Sequence, residues 1–75
     1  MNNTMQQANE KALADFRKLS TLYKYKECAR YGNIIISTDT HTTDGWLSLE
    51  TFEIYGTKFI FILIDGKIID CYELQ

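Results

Sequence analysis

Residues 57–74 read TKFIFILIDGKIIDCYEL, with apolar side chains at odd and even positions alike. A strand with one wet face alternates apolar with polar, so this ribbon is expected to be central in its sheet and to need cover on both sides. The first third of the chain has a different period. Met5, Ala8, Ala12, Phe16, Leu19 and Tyr23 recur every three or four residues, which is the stripe of an amphipathic helix. Asn3 or Thr4 is placed to cap its start with a side-chain oxygen. Gly32 followed by Asn33 suits the left-handed residue that ends a helix, and Arg30 lies near the negative end of the dipole.

A single helix over residues 4–31 would be about 42 Å long and would overhang strands of about 25–30 Å. The apolar stripe also rotates after Tyr23, passing to Leu22, Tyr25, Cys28 and Ala29. Ser20 and Thr21 lie at the change, and their hydroxyls compete locally with helical hydrogen bonding. The expectation is an N-terminal helix bent or broken near Ser20. The alternatives are an unbroken helix docked on a second chain, and a strand over residues 21–29 in which Tyr23 and Tyr25 alternate with lysines.

After Gly32 the β-branched and aromatic content predicts strands. NIIISTD is the first, THTTDG a polar loop and WLSLETFEIY the second. Gly56 with Thr57 suits a turn with glycine first, and Asp65 with Gly66 is the strongest hairpin signal in the chain. Two-residue turns fix register. Around Asp65 and Gly66, Ile64 then opposes Lys67, Phe61 opposes Asp70, and Lys58 opposes Glu73. Around Gly56, Ile54 opposes Phe59 and Phe52 opposes Phe61. One face then carries Phe52, Ile54, Phe59, Phe61, Leu63, Ile68 and Tyr72. The other carries Ile60, Ile62, Ile64, Ile69 and Cys71, edged by Thr51, Glu53, Lys58, Lys67 and Glu73. Leu47 and Leu49 fall out of phase with Phe52 and Ile54, and a bulge near Glu50 and Thr51 would return all four to one side.

The fold expected is α+β: one domain over residues 1–75, helical through residue 32 and a four-stranded antiparallel meander from residue 33. The aromatic face meets Phe16, Leu19 and Tyr23. The isoleucine face lacks an evident cover. Either residues 22–29 wrap onto it or another molecule does, and the second reading is preferred because contiguous exposed apolar patches mark interfaces.

Composition narrows the chemistry. The longest apolar run, residues 59–64, is too short to span a bilayer, and the N-terminus lacks the basic head and apolar segment of a signal peptide. A cytoplasmic protein with reduced thiols is expected, and Cys28 and Cys71 read as small buried hydrophobes. The net charge of −2 hides an asymmetry: residues 1–32 carry six basic side chains against three acidic, and residues 33–75 two against seven. Such a division points either to a charged partner or to halves that attract each other. His41 lies between Asp39 and Asp44, a metal-competent set of ligand types on a loop without supporting neighbours. His41 with Asp39 and a nearby threonine is the one candidate trio for acid–base work. Glycine-rich phosphate loops, nucleophile elbows and paired cysteines are missing from the sequence. No cofactor, metal site or catalytic residue is assigned.

The resulting reading is a small non-enzymatic protein-binding module, an inhibitor or regulator that docks on a larger protein, one with a basic surface included. Candidate interface residues are Ile60, Ile62, Ile64, Ile69, Glu53, Glu73, Trp46 and Tyr25. A homodimer through the isoleucine face is its structural variant. In size, acidity and lack of proline or catalytic signature the chain resembles the small inhibitors and accessory proteins that phages encode, a likeness of type carried by no particular residue. The rival is a nucleic-acid-binding regulator using the basic helical half, which the sequence pI near 5.2 disfavours. No membrane association is expected.

Overall fold

A computed structural model describes residues 3–75, with side chains from residue 7 onward. The caps expected from Asn3 or Thr4 and the contribution of Met5 involve side chains outside the described part. The order is α1 (Asn3–Arg17), α2 (Thr21–Tyr31), β1 (Asn33–Thr42), β2 (Gly45–Ile54), β3 (Thr57–Ile64) and β4 (Lys67–Leu74). The strands form an antiparallel meander in the order β1-β2-β3-β4. The fold is α+β, and both helices pack on one face of the sheet.

The helix breaks where the stripe rotates. Ser20 is extended and its Oγ accepts a hydrogen bond from the Tyr23 amide at 3.3 Å, capping α2. This rules out both the unbroken helix and a strand over residues 21–29. Gly32 closes α2 for a different reason from the one expected. It is extended rather than left-handed, with φ −91°, and its amide donates to the Cys28 carbonyl at 2.9 Å. Glycine is required by space: an added Cβ would lie 2.9 Å from the carbonyl oxygens of both Cys28 and Glu53. The chain leaves α2 directly against the backbone of β2.

The core lies between the helices and one sheet face. Phe16, Cys28, Phe52, Ile54, Phe59, Phe61 and Leu63 are buried, with Leu13, Leu19, Tyr25, Tyr55, Ile68 and Cys71 packed around them. Phe16 of α1 tilts onto Phe59 at 4.8 Å between ring centroids. Tyr25 of α2 stands edge-on to both Phe52 and Phe61, at 5.7 and 5.2 Å. Such pairs add to the stabilisation from burial alone. Tyr23, expected in this layer, points outward and is 59% exposed; Tyr25 has its place. Residues 7–11 of α1 are exposed, so α1 is anchored through its last turns only.

Three register details differ from expectation. The β2–β3 turn is Tyr55-Gly56, both left-handed at φ 53° and 73°, so Ile54 opposes Thr57 and Phe52 opposes Phe59. The shift is two residues, so each side chain keeps its face. The Asp65-Gly66 turn, at φ 50° and 79°, forms where expected, and Ile64 opposes Lys67 and Leu63 opposes Ile68. Beyond that pair β4 is bulged at Ile69, so Ile62 opposes Asp70, Ile60 opposes Tyr72 and Lys58 opposes Leu74. The bulge moves Cys71 and Glu73 to the helix-covered face and Asp70 and Tyr72 to the other. The expected Lys58–Glu73 pairing is therefore not made. Finally, β2 pairs with β3 without interruption; the bulge near Glu50 and Thr51 is not there. The irregularity lies at Ile35 of β1.

The buried rings allow two stability measurements. Phe61→Ala is expected to lower unfolding free energy by about 3–5 kcal/mol in a urea melt, the usual cost of an aromatic cavity. Gly32→Ala is expected to cost about 1–3 kcal/mol in the same melt, because two backbone oxygens must move to admit one methyl group.

Candidate docking surface

Alternation along each strand sorts the sheet into a roofed face and an open one. On the open face β2 contributes Leu47, Leu49, Thr51 and Glu53, directly opposite Ile64, Ile62, Ile60 and Lys58 of β3. Ile36, Thr38 and Thr40 of β1 extend these rows on one side, and Tyr72, Asp70 and Lys67 of β4 on the other. None of these side chains belongs to the core cluster or packs against it. Leu47, Leu49, Ile60, Ile62 and Ile64 are half-buried by their sheet neighbours alone. Thr51, short and ringed by longer side chains, is 7% exposed. At about 4.8 Å between strands and 3.3 Å per residue, the face measures roughly 500 Å².

The sequence-derived candidates divide between the two faces. Ile60, Ile62, Ile64 and Glu53 share the open face, and Leu47 and Leu49 join them. Ile69 stands exposed at the β4 bulge. Tyr25 is in the core. Glu73 and Trp46 lie on the helix side. Trp46 is 54% exposed at the far end of the β1–β2 hairpin, edge-on to His41 at 5.0 Å. Two signals for the open face were present in the sequence. The unbroken alternation of WLSLETFEI puts Leu47 and Leu49 opposite in phase to Phe52, and an aspartate placed against Phe61 marks a register in need of a bulge.

Most acids of the β half have partners. Arg17 of α1 grips Glu73 of β4 with two hydrogen bonds, at 2.9 and 2.7 Å. That pair holds the Glu73 carboxyl below its ordinary range and the Arg17 guanidinium above its own. The Tyr25 hydroxyl donates to Glu50 at 2.6 Å, and the Tyr55 hydroxyl donates to Glu27 of α2 at 2.8 Å. The hydrogen bond to Glu50, aided by burial, pushes Tyr25 up to about 12. Burial, then the bond to Glu27, does the same for Tyr55, to about 12. Asp65 accepts from the Trp46 amide at 2.9 Å, and Asp39 accepts from Ser48 Oγ at 2.6 Å. Asp70 accepts from the Cys71 amide and the Tyr72 hydroxyl, and these bonds lower its pKa. On the open face the remaining charges balance: Glu53 and Asp70 against Lys58 and Lys67.

The expected polar loop is mostly strand. Asp39 and His41 belong to β1, and only Thr43 and Asp44 form the turn. Among the described residues no group of three or more His, Cys, Asp or Glu side chains is close enough to hold a metal ion. Cys28 is buried, which pushes its thiol up to about 12. Along the outer side of α2, Leu19, Tyr23, Lys26, Glu27, Arg30 and Tyr31 line a shallow groove. Lys26 lies 5.4 Å from the Tyr23 ring and Arg30 6.0 Å from the Tyr31 ring. Among the described residues no helix is long and apolar enough to cross a membrane.

Compared with family models, with curated proteins and with solved structures, the chain matches none.

The tyrosine contacts carry a sign in pH. A folded-state pKa above the unfolded value means stability that is whole below the unfolded pKa and is lost as pH rises through the folded one. For Tyr25 and Tyr55 that window runs from 10.0 to about 12. An absorbance titration of phenolate formation should show these two ionising over that interval, with the thermal midpoint falling alongside. Tyr25→Phe should remove part of that alkaline dependence.

Proposed function

We propose that this protein is a non-enzymatic docking module that occupies the surface of a larger protein, as an inhibitor or regulator, through the open face of its sheet. The observation that supports this reading most is the one-sided roof. Both helices pack on the aromatic face, so Leu47, Leu49, Ile60, Ile62 and Ile64 form a contiguous apolar surface with no layer above it among the described residues. With its polar margin included, the open face measures several hundred Å², the size associated with interaction sites. Its charges are balanced and lie at its margins, which matches an apolar protein surface with a mixed rim. A strongly basic partner finds less support, because most acids of the β half are engaged inside the molecule.

A second reading has one observation in its favour. The α2 groove sets Lys26 and Arg30 beside exposed Tyr23 and Tyr31, a combination suited to stacking and phosphate contact in single-stranded nucleic acid. Glu27 in the same groove and the negative net charge weigh against it.

One capture experiment separates the two. The full chain is used as bait in host lysate with and without nuclease, beside Ile62→Asp, Leu49→Asp and Lys26→Glu variants whose folding is checked by circular dichroism. Capture of a protein that survives nuclease, persists with Lys26→Glu and is lost with Ile62→Asp and Leu49→Asp is expected. Capture abolished by nuclease and by Lys26→Glu, but indifferent to Ile62→Asp, would overturn the docking reading in favour of nucleic acid.

A further inference from the structure

The two edges of the sheet are built differently. β4 is interrupted at its third residue by the Ile69 bulge, which leaves only residues 70–74 regular, and it carries Lys67, Asp70 and Glu73, charges of the kind that guard against strand addition. β1 has no lysine, arginine or proline, and six of its ten residues are β-branched. Ile34, Ile35 and Ile36 are 53%, 46% and 55% exposed. Its one irregularity, at Ile35, also falls at its third residue, and Asp39 is its one acidic side chain. Residues 36–42 are left as a longer regular edge whose outward amides and carbonyls have no strand to pair with among the described residues.

We propose that β1 pairs antiparallel with β1 of a second copy, joining two meanders into a continuous eight-stranded sheet. The two-fold axis stands perpendicular to the sheet at Thr38, so both open faces lie on the same side and both pairs of helices on the other. In this register Thr38 faces its symmetry mate, and Ile36 faces Thr40 of the second copy across the open face. On the helix side Ser37 faces Asp39 of the second copy. Asp39 is prepared for that neighbour: Ser48 occupies its Oδ1 from the β2 side, and Oδ2 has no donor among the described residues. The two nearest registers are worse. Centring on Asp39 sets two carboxylates directly opposite each other, and centring on Ser37 leaves only residues 36–38 of the regular edge to pair.

Setting two open faces flush doubles the one continuous surface to roughly 1,000 Å². The inference extends the docking reading without depending on it, because it stands on the edge of β1 and not on what meets the face.

Sedimentation equilibrium of the full chain is expected to show a concentration-dependent species at twice the 8.8 kDa chain mass. Thr38→Lys sets two ammonium groups opposite each other at the axis and should weaken the dimer about 5-fold or more. Ser37→Lys sets an ammonium against Asp39 of the second copy and should leave the dimer as tight or tighter. Thermal melts confirm that both variants fold. A monomer persisting at millimolar concentration overturns the proposal. So does a dimer indifferent to Thr38→Lys but separated by Ile62→Asp, which would be a face-to-face sandwich. Loss of partner capture while the β1 dimer persists would count against the docking reading alone.

Discussion

Aromatic packing on one face of the sheet sets the terms for everything else in this molecule. Phe52, Phe59 and Phe61 project from adjacent strands to the same side, and Phe16 and Tyr25 reach them from two different helices. Reaching from two directions requires the break at Ser20. A straight helix keeps its stripe on one line, whereas the capped junction lets α1 contribute Phe16 and then turns α2 so that Tyr25 and Cys28 face the same rings. The parts of both helices that reach the sheet, the last turns of α1 and the inner side of α2, roof that side. A second roof would need another helix of similar length, and the described chain continues directly into β1.

Polar contacts finish the same seam. Arg17 with Glu73, Tyr25 with Glu50, and Tyr55 with Glu27 each tie a helix to the sheet or its turn. Tyr55 also occupies a left-handed backbone conformation that a large side chain rarely adopts. Its ring against Phe16, at 6.1 Å, and its bond to Glu27 are the contacts that hold it there. The division of charge between the two halves of the chain is thus partly an internal matter: the Arg17–Glu73 ion pair across the seam joins the basic half to the acidic half. What remains for a partner is less charged than the sequence suggests.

The fold class, the four strands and the broken helix were legible because each rests on a strong local signal. These signals are the 3.6-residue period, the β-branched runs, and a hydroxyl pair at the point where the stripe turns. The Asp65-Gly66 turn was legible for the same reason, since both residues tolerate positive φ. Bulges were not. A bulge is chosen by the balance of faces across a whole sheet, and its cost is too small for one strand to announce it. Placing one in β2 hid Leu47 and Leu49 from the open face, and omitting one from β4 put Tyr72 on the wrong side. Gly32 shows a similar limit. Its type fitted a left-handed cap, yet the reason for glycine there is the backbone of β2, which no local pattern reveals.

Face and edge belong to one problem. A sheet roofed on one side has an open side on which β-branched and leucine side chains shield each other only in part. The strand at its margin inherits the same residues: Ile36 closes the row of Thr51 and Ile60 and is itself at the boundary. A lysine at position 36, 38 or 40 of β1 would place a charge beside that apolar row. Guarding β4 has no such cost, because Asp70 and Lys67 already mark where the apolar surface ends. On the open side the two edges therefore differ because the apolar surface ends at different places: β1 continues its rows with Ile36, Thr38 and Thr40, and β4 closes them with Lys67, Asp70 and Tyr72.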